Sequence, residues 1–155
     1  MPLRALSQFL SLSQVPYKSY NHPPTFSAQQ TASNMHISGH EVAKTVILRV
    51  DGRLVMAVLP ACEMIDLGRF RELMGAVIVE LANEVDMERI APLCDAGSIP
   101  PVGNLFGLPV YVSTSLTKDE TIAFNAGNHT EDIRMYYRDF EYLVQPQIMD
   151  FTRIH

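Results

Sequence analysis

Two cysteines, Cys62 and Cys94, are the only thiols in 155 residues, too few for a disulfide scaffold. With no signal peptide ahead of them, they read as reduced residues of a cytosolic protein. Charge is also scarce, and the shortage is uneven. Only 19% of residues are charged, and 12 basic against 17 acidic side chains leave a net charge of −5. That deficit of cations argues against a broad duplex-binding surface, because phosphate contacts supply most nucleic-acid affinity. It leaves room for a small basic pocket that takes one nucleotide end. No apolar run is long enough to span a membrane, and the Met1–Leu12 segment is too short and too interrupted. Leu3, Leu6, Phe9 and Leu10 recur there at helical spacing, which predicts an amphipathic helix packed on the fold. Polar tracts and internal repeats are missing, so neither disorder nor a repeat array is indicated. What is present is 47% hydrophobic residues, enough for one domain over residues 1–155 with a real core.

Short elements alternate along the chain. Val15–Tyr20 is extended, and His22-Pro23-Pro24 makes a rigid turn. Ser27 and Gln30 match a capping box that opens a short helix through Ala28, Ala32 and Met35. Val42–Val50 and Arg53–Leu59 form two strands around Asp51-Gly52, a strong hairpin signal. Asp66 caps a helix that stops at Gly75, Ala76–Leu81 reads as a strand, and Asn83 starts a further short helix. Four prolines and three glycines between Pro92 and Pro109 mark an ordered loop region. Strands are expected at Leu108–Val112, Thr121–Asn125 and Ile133–Tyr137, and a last helix near Asp139. Six or seven strands interleaved with short helices predict a mixed α/β or α+β fold with a curved sheet.

Lys44 departs from its surroundings. On an alternating strand it shares a face with Val42, Val46, Leu48 and Val50. An ammonium there must snorkel, find an anionic partner, or receive an anionic ligand. A second feature is Gly97-Ser98-Ile99-Pro100-Pro101-Val102-Gly103, where the prolines stiffen a backbone that the glycines let turn freely. Such a loop can present fixed N–H and C=O groups to a ligand, or it can be a plain structural crossover. A third is Phe124–Asp132, a strand entering a Gly127-Asn128 turn, with His129 at what a hairpin tip would explain equally well. His36 and His40 are four apart, but Ser38-Gly39 between them argues against a helical metal pair. Cys94 with His129 would make a nucleophile–base pair only if the thiol were easily ionised. Gly103-x-x-x-Gly107 lies in a loop and has no part in membrane helix packing.

In order, these pieces resemble the YbaK family, free-standing relatives of the editing domain inserted in bacterial prolyl-tRNA synthetase. The resemblance rests on Val15-Pro16-Tyr17 through Tyr20-x-His22, Ala43-Lys44-Thr45, Ala57-Val58-Leu59-Pro60 and Asp66-Leu67. It continues with the G-x-x-x-P loop Gly97–Pro101, then Gly103, and the Ala126-Gly127 turn leading to Asp132-Ile133. The likeness implies a curved, barrel-like mixed sheet surrounded by short helices. It also implies hydrolysis of the ester between a wrong amino acid and the 3′-terminal adenosine of tRNA, without metal or organic cofactor. The implied partners are the tRNA acceptor end and an aminoacyl-tRNA synthetase, with no membrane and no duplex DNA.

By the same resemblance, Lys44 holds the terminal phosphate or ribose end, while Gly97 and Pro101 shape the carbonyl site. Tyr20, His22, Thr45, Ser98, Ile99, Pro100, Asn125, Gly127, His129 and Asp132 line the pocket, and Met56 and Ile99 are expected to keep it tight. Lys18, with Arg49 or Arg53, would add phosphate contacts. An activated ester needs orientation and oxyanion stabilisation more than a strong nucleophile, so backbone donors and one cation can suffice. The chain departs from the family's subgroups. Thr45 follows the lysine as in YbaK-type deacylases, where an alanine-specific relative carries Asn. Asn125 stands where YbaK has Ser, Pro100 replaces a Ser, and His129 is similar to the alanyl-tRNA deacylases. Two other classes compete: a non-catalytic module binding an aminoacyl-nucleotide or small anion in the same pocket, and a thiol hydrolase built on Cys94.

Overall fold

A computed structural model describes residues 3–23 and 38–154. The expected helix at residues 28–35 and its Ser27 cap lie outside the described residues, as does His36. Among the described residues four α-helices and ten strands build a mixed α+β fold. They are α1 (Arg4–Ser13), β1 (Tyr17–Asn21), β2 (Ala43–Val50), β3 (Arg53–Pro60), β4 (Glu63–Ile65), α2 (Leu67–Met74) and β5 (Val79–Leu81). Then follow α3 (Glu84–Ile90), β6 (Val110–Ser113), β7 (Thr121–Asn125), β8 (Glu131–Tyr136), α4 (Tyr137–Val144), β9 (Gln147–Met149) and β10 (Thr152–Ile154). No helix among these is long and apolar enough to cross a membrane.

The β2–β3 hairpin turns as its sequence demands. Asp51 and Gly52 both take positive φ, at 48° and 85°, the backbone a tight two-residue hairpin requires. The Asp51 carboxylate also accepts from the amides of Val77 and Ile78, at 3.0 and 2.8 Å. Those amides are therefore withdrawn from sheet pairing, and the expected strand over Ala76–Leu81 contracts to Val79–Leu81. Asp66 accepts from the Arg69 amide at 3.0 Å to open α2, and Gly75 closes it at φ +63°. Asn83 and Asp86 form a reciprocal capping box at α3. Three strands that the sequence pattern did not predict, β4, β9 and β10, are only three residues long, too short for alternation to be visible.

Five strands form one sheet in the order β5-β2-β3-β6-β9, with β6 parallel to both β3 and β9. Three antiparallel strands form another in the order β1-β8-β7, and β4 pairs with β10. A parallel bridge between Val42 and Ala123 joins the two larger sheets, reinforced by the Ala123 amide donating to the Glu41 carbonyl at 2.9 Å.

Alternation distributes side chains to two apolar layers. Ala43, Ile47, Met56 and Val58 point into the main core with Ile122, Phe124, Ile133, Met135, Phe140 and the buried face of α1, Leu6 and Leu10. Leu48, Val50, Val55, Ala57 and Leu59 point the other way, onto Phe70 and Phe151. Phe70 meets Tyr111 and Phe151 edge-on, at 5.7 and 5.1 Å between ring centres. Burial on both faces explains why Val55–Pro60 is continuously apolar instead of alternating.

Candidate active site

The strand register sets the site. In the three-stranded sheet Ile122, Phe124, Ile133 and Met135 face the main core, so Asn125 and Asp132 face away from it. Tyr20 pairs with Asp132 across β1–β8, and Asp132 pairs with Asn125 across β8–β7. Lys44 lies two residues beyond Val42, as Asn125 lies two beyond Ala123, and Val42 is bridged to Ala123. Even-numbered residues of β2 also turn away from the main core. Tyr20, Asp132, Asn125 and Lys44 thus occupy one row on one face, contributed by four neighbouring strands.

Lys44 snorkels. Its Nζ reaches the Ala61 carbonyl at 3.5 Å, and among the described residues it forms no ion pair. Burial pulls its pKa below the ordinary lysine value, while neighbouring Cys62 and Glu63 pull it back up. A half-buried ammonium held by a lone carbonyl is a cation still able to take an anion.

Asp132 anchors the row. Its side chain is 0% exposed and that of His22 is 6% exposed. Asn125 Nδ2 donates to Asp132 Oδ1 at 2.6 Å, and His22 Nε2 packs against Asp132 Oδ2. His22 is held from behind as well, its amide donating to the Thr130 carbonyl at 2.9 Å. His22 Nδ1 faces the Pro23 carbonyl at 2.6 Å. A carbonyl only accepts, so Nδ1 is the nitrogen that donates to Pro23, and Nε2 is the one turned to Asp132. Burial raises the Asp132 pKa, opposed by His22 and by the Asn125 bond.

The glycine loop is tied to the β7–β8 turn. The Gly127 amide donates to the Ser98 carbonyl at 3.0 Å, and the Asp95 amide donates to the Gly127 carbonyl at 2.9 Å. Gly127 has φ +99°, and a Cβ there would stand 3.0 Å from Leu3 Cβ and 3.6 Å from Cys94 Sγ. Gly97 has φ +78° and is exposed, and a Cβ on it would lie 4.0 Å from His129 Cε1. Ser98, Ile99, Pro100 and Pro101 are buried, and the Ser98 hydroxyl donates to the Asp95 carbonyl at 2.8 Å. Within this loop it is Gly97, next to His129, that meets solvent.

Several expected site residues lie elsewhere. Thr45 points to the main-core side, opposite Lys44, and its buried hydroxyl has no partner among the described residues. Met56 and Ile99 belong to the main core, and Met56 is on the far face of the sheet from Lys44, so neither forms a wall beside the lysine. Arg49 is committed to Asp86 and to the Gly52 carbonyl, and the guanidinium holds the Asp86 carboxyl below its usual range. Arg49 is therefore not a spare phosphate contact. Burial pushes the Cys94 thiol up to about 11, the reverse of what a nucleophilic cysteine needs.

The His22–Asp132 contact was not legible from spacing, since 110 residues separate the partners. A second carboxylate cluster, also missed, surrounds Glu63. Its Oε1 accepts from Ser115 at 2.7 Å and from Thr152 at 2.5 Å. His40 sits 3.7 Å from Glu63 and bonds Asp119 at 2.8 Å through Nδ1.

The chain is similar to several known proteins. A family model described as the aminoacyl-tRNA editing domain matches residues 22–143. The multifunctional Ser/Thr-tRNA deacylase ProXp-y of Escherichia coli K12 is 27% identical over 116 residues, covering 72% of this chain and 69% of that protein. The crystal structure of a candidate trans-editing enzyme for prolyl tRNA synthetase superposes with a TM-score of 0.86 at 18% identity, over 97% of this chain and 96% of the other. One of a candidate signal transduction protein from Marinobacter aquaeolei VT8 gives 0.78 at 17% identity, over 98% of this chain and 31% of that one. The two structures bear on the fold; the family model, which takes in Lys44, the glycine loop, Asn125 and Asp132, bears on kinship. The chain belongs to the aminoacyl-tRNA editing domain family.

Proposed function

We propose that this chain is a trans-acting aminoacyl-tRNA deacylase of the cytoplasm, residues 1–155 working as one editing unit. It removes a small mischarged amino acid of the Ala, Ser or Cys class. The observation that carries the reading is the row Tyr20–Asp132–Asn125–Lys44, a cation with no ion pair among the described residues beside a buried polar floor, within an editing-domain chain. In the reaction a water oxygen bonds to the ester carbonyl carbon and the bond from that carbon to the ribose oxygen breaks. The water proton passes to the ribose oxygen, leaving the free amino acid and a 3′-hydroxyl. Lys44 anchors the terminal phosphate, so the ester is presented in one orientation. The backbone at Gly97, the solvent-facing end of the Gly97–Pro101 loop, with His129 beside it, faces the carbonyl oxygen. Tyr20, Asn125 and Asp132 bind the aminoacyl and ribose groups, and His22 holds Asp132. Ser98, Ile99, Pro100 and Gly127 keep the loop in shape, and Thr45 supports the strand from its core side.

The ester is already activated, so orientation and charge suffice and no thiol is required. Serine is the favoured substrate within the class, because amide and carboxyl groups of the row can satisfy a hydroxyl that an apolar wall would leave unpaired. The Ser/Thr specificity of the Escherichia coli relative supports that choice. A synthetase that supplies the mischarged tRNA is the natural second partner.

The test is a deacylation panel of tRNAs charged with Ala, Cys, Ser, Thr and Pro, run with wild type and Lys44→Ala. Ser-tRNA should be cleared ahead of Pro-tRNA, and Lys44→Ala should lower the rate roughly 100-fold while leaving the fold intact. An unaltered rate in Lys44→Ala would overturn the anchor. Saturable binding with no turnover on any substrate would replace the enzyme by a binding module.

A further inference from the structure

The face that carries the Lys44 row continues into a cleft that the reaction does not use. Along β1 and β8 the next pair beyond Tyr20–Asp132 is Lys18–Arg134. Tyr136 follows on β8, paired with Thr121 of β7. These residues line a cleft of about 340 Å³ whose near end is Tyr20 itself. Arg134 is held in place by Thr121 Oγ1, at 3.3 and 3.2 Å, and by Glu41 at 3.1 Å. Lys18 is exposed and makes no ion pair among the described residues. Tyr136 is 37% exposed, and the Arg138 guanidinium lies 4.9 Å from its ring centre. Two cations, Lys18 and Arg134, therefore line the cleft with Tyr20 and Tyr136, and Arg138 adjoins it through the Tyr136 ring, on a chain whose net charge is −5.

The geometry points to this cleft as the seat of the single-stranded nucleotides that precede the terminal adenosine of the tRNA acceptor end. It rests on the deacylase reading for its near end, where the adenosine sits by Tyr20 and Lys44. Single strands are bound by a basic groove that follows the backbone and by aromatic faces on which bases stack, without sequence readout. Same-face residues two apart on a strand are about 6.8 Å apart, so Tyr20–Asp132, Lys18–Arg134 and Tyr136 form successive steps along an extended strand. Lys18 and Arg134 meet backbone phosphates, with Glu41 yielding Arg134 to the RNA, and Tyr136 takes a base on its ring. A site with two such contacts gives a shallow salt dependence, consistent with the poverty of cations elsewhere.

The experiment pairs two readouts on wild type, Lys18→Glu and Tyr136→Ala. The first is kcat/KM on full-length Ser-tRNA against seryl-adenosine, which lacks the preceding nucleotides. The second is equilibrium binding of an uncharged single-stranded RNA ending in CCA, followed by fluorescence anisotropy across salt concentrations. Both variants should lose roughly tenfold more on the tRNA than on seryl-adenosine, through KM. A third variant, Lys18→Ala, which removes one phosphate contact without adding a negative charge, should flatten the log–log salt slope of RNA binding by about 0.7. Equal losses on both substrates, or RNA binding insensitive to Lys18→Glu and Tyr136→Ala, would overturn the cleft. If wild type hydrolyses neither substrate yet binds RNA through Lys18 and Tyr136, the cleft stands and the deacylase reading falls.

Discussion

Two histidine–carboxylate pairs sit in this fold, and they are built differently. His22–Asp132 is nearly sealed, with side chains 6% and 0% exposed, and both Asp132 oxygens have partners. His40–Asp119 is more open to solvent, at 35% and 11%, and one buried Asp119 oxygen has no partner among the described residues. The first joins β1, β7 and β8 beside Lys44, and its every polar atom is accounted for. The second hangs from the start of β2 and the loop before β7, with Glu41 and Glu63 as carboxylate neighbours that repel a charged Asp119. The contrast shows where this fold spends its buried polarity. A satisfied pair fixes the geometry of the row that holds Lys44, whereas a partly satisfied one costs stability and fixes little.

Substitution can break that comparison. Asp132→Ala strands both His22 and Asn125 and should lower the unfolding free energy by about 3–5 kcal/mol in urea titration. Asp119→Ala removes one bond to a half-exposed histidine and should cost only about 1 kcal/mol. A larger loss in Asp119→Ala than in Asp132→Ala would invert the ranking of the two pairs.

Acid sharpens it further. Burial raises the Asp119 pKa above its ordinary value of 3.8, so the folded chain binds this proton more tightly than the unfolded chain. The stability it contributes is present in full below 3.8 and is lost as pH rises through the raised value. Asp119→Asn cannot titrate, so its stability relative to wild type should improve between pH 3.5 and pH 7, read by urea unfolding at both. An unchanged difference between the two pH values would remove the unpaired oxygen as a source of cost. The smallest effect belongs to Cys94, half-buried near Gly127 with a thiol pushed up to about 11. Cys94→Ser should keep deacylation within about twofold of wild type, since no step needs that sulfur. Loss of activity there would reopen the thiol hydrolase.

Much of this was visible in local pattern. The Asp51-Gly52 turn, the Asp66 and Asn83 caps, the Gly75 stop and the face occupied by Lys44 all follow from dihedral preference and side-chain alternation. Thr45 carries a sharper lesson: the alternation that puts Lys44 on one face puts Thr45 on the other, although the Ala43-Lys44-Thr45 motif suggested one site for both. The shortening of β5 was hidden because Asp51, 26 and 27 residues away, takes the amides of Val77 and Ile78. The Ser98 hydroxyl and the guanidinium of Arg49 looked available and are consumed by structural bonds.

Local sequence was enough for the hairpin, the Asp66, Asn83 and Gly75 helix ends and the misfit lysine, because each depends on neighbours within a few residues; the last helix, expected near Asp139, begins at Tyr137. Only the tertiary structure decided that Tyr20, Asp132, Asn125 and Lys44 form one row, that His22 closes on Asp132, and that the cleft of Lys18 and Tyr136 adjoins it. Those facts depend on strand register across segments more than a hundred residues apart. Such register is set by the burial of both faces of two joined sheets, and no local propensity encodes it.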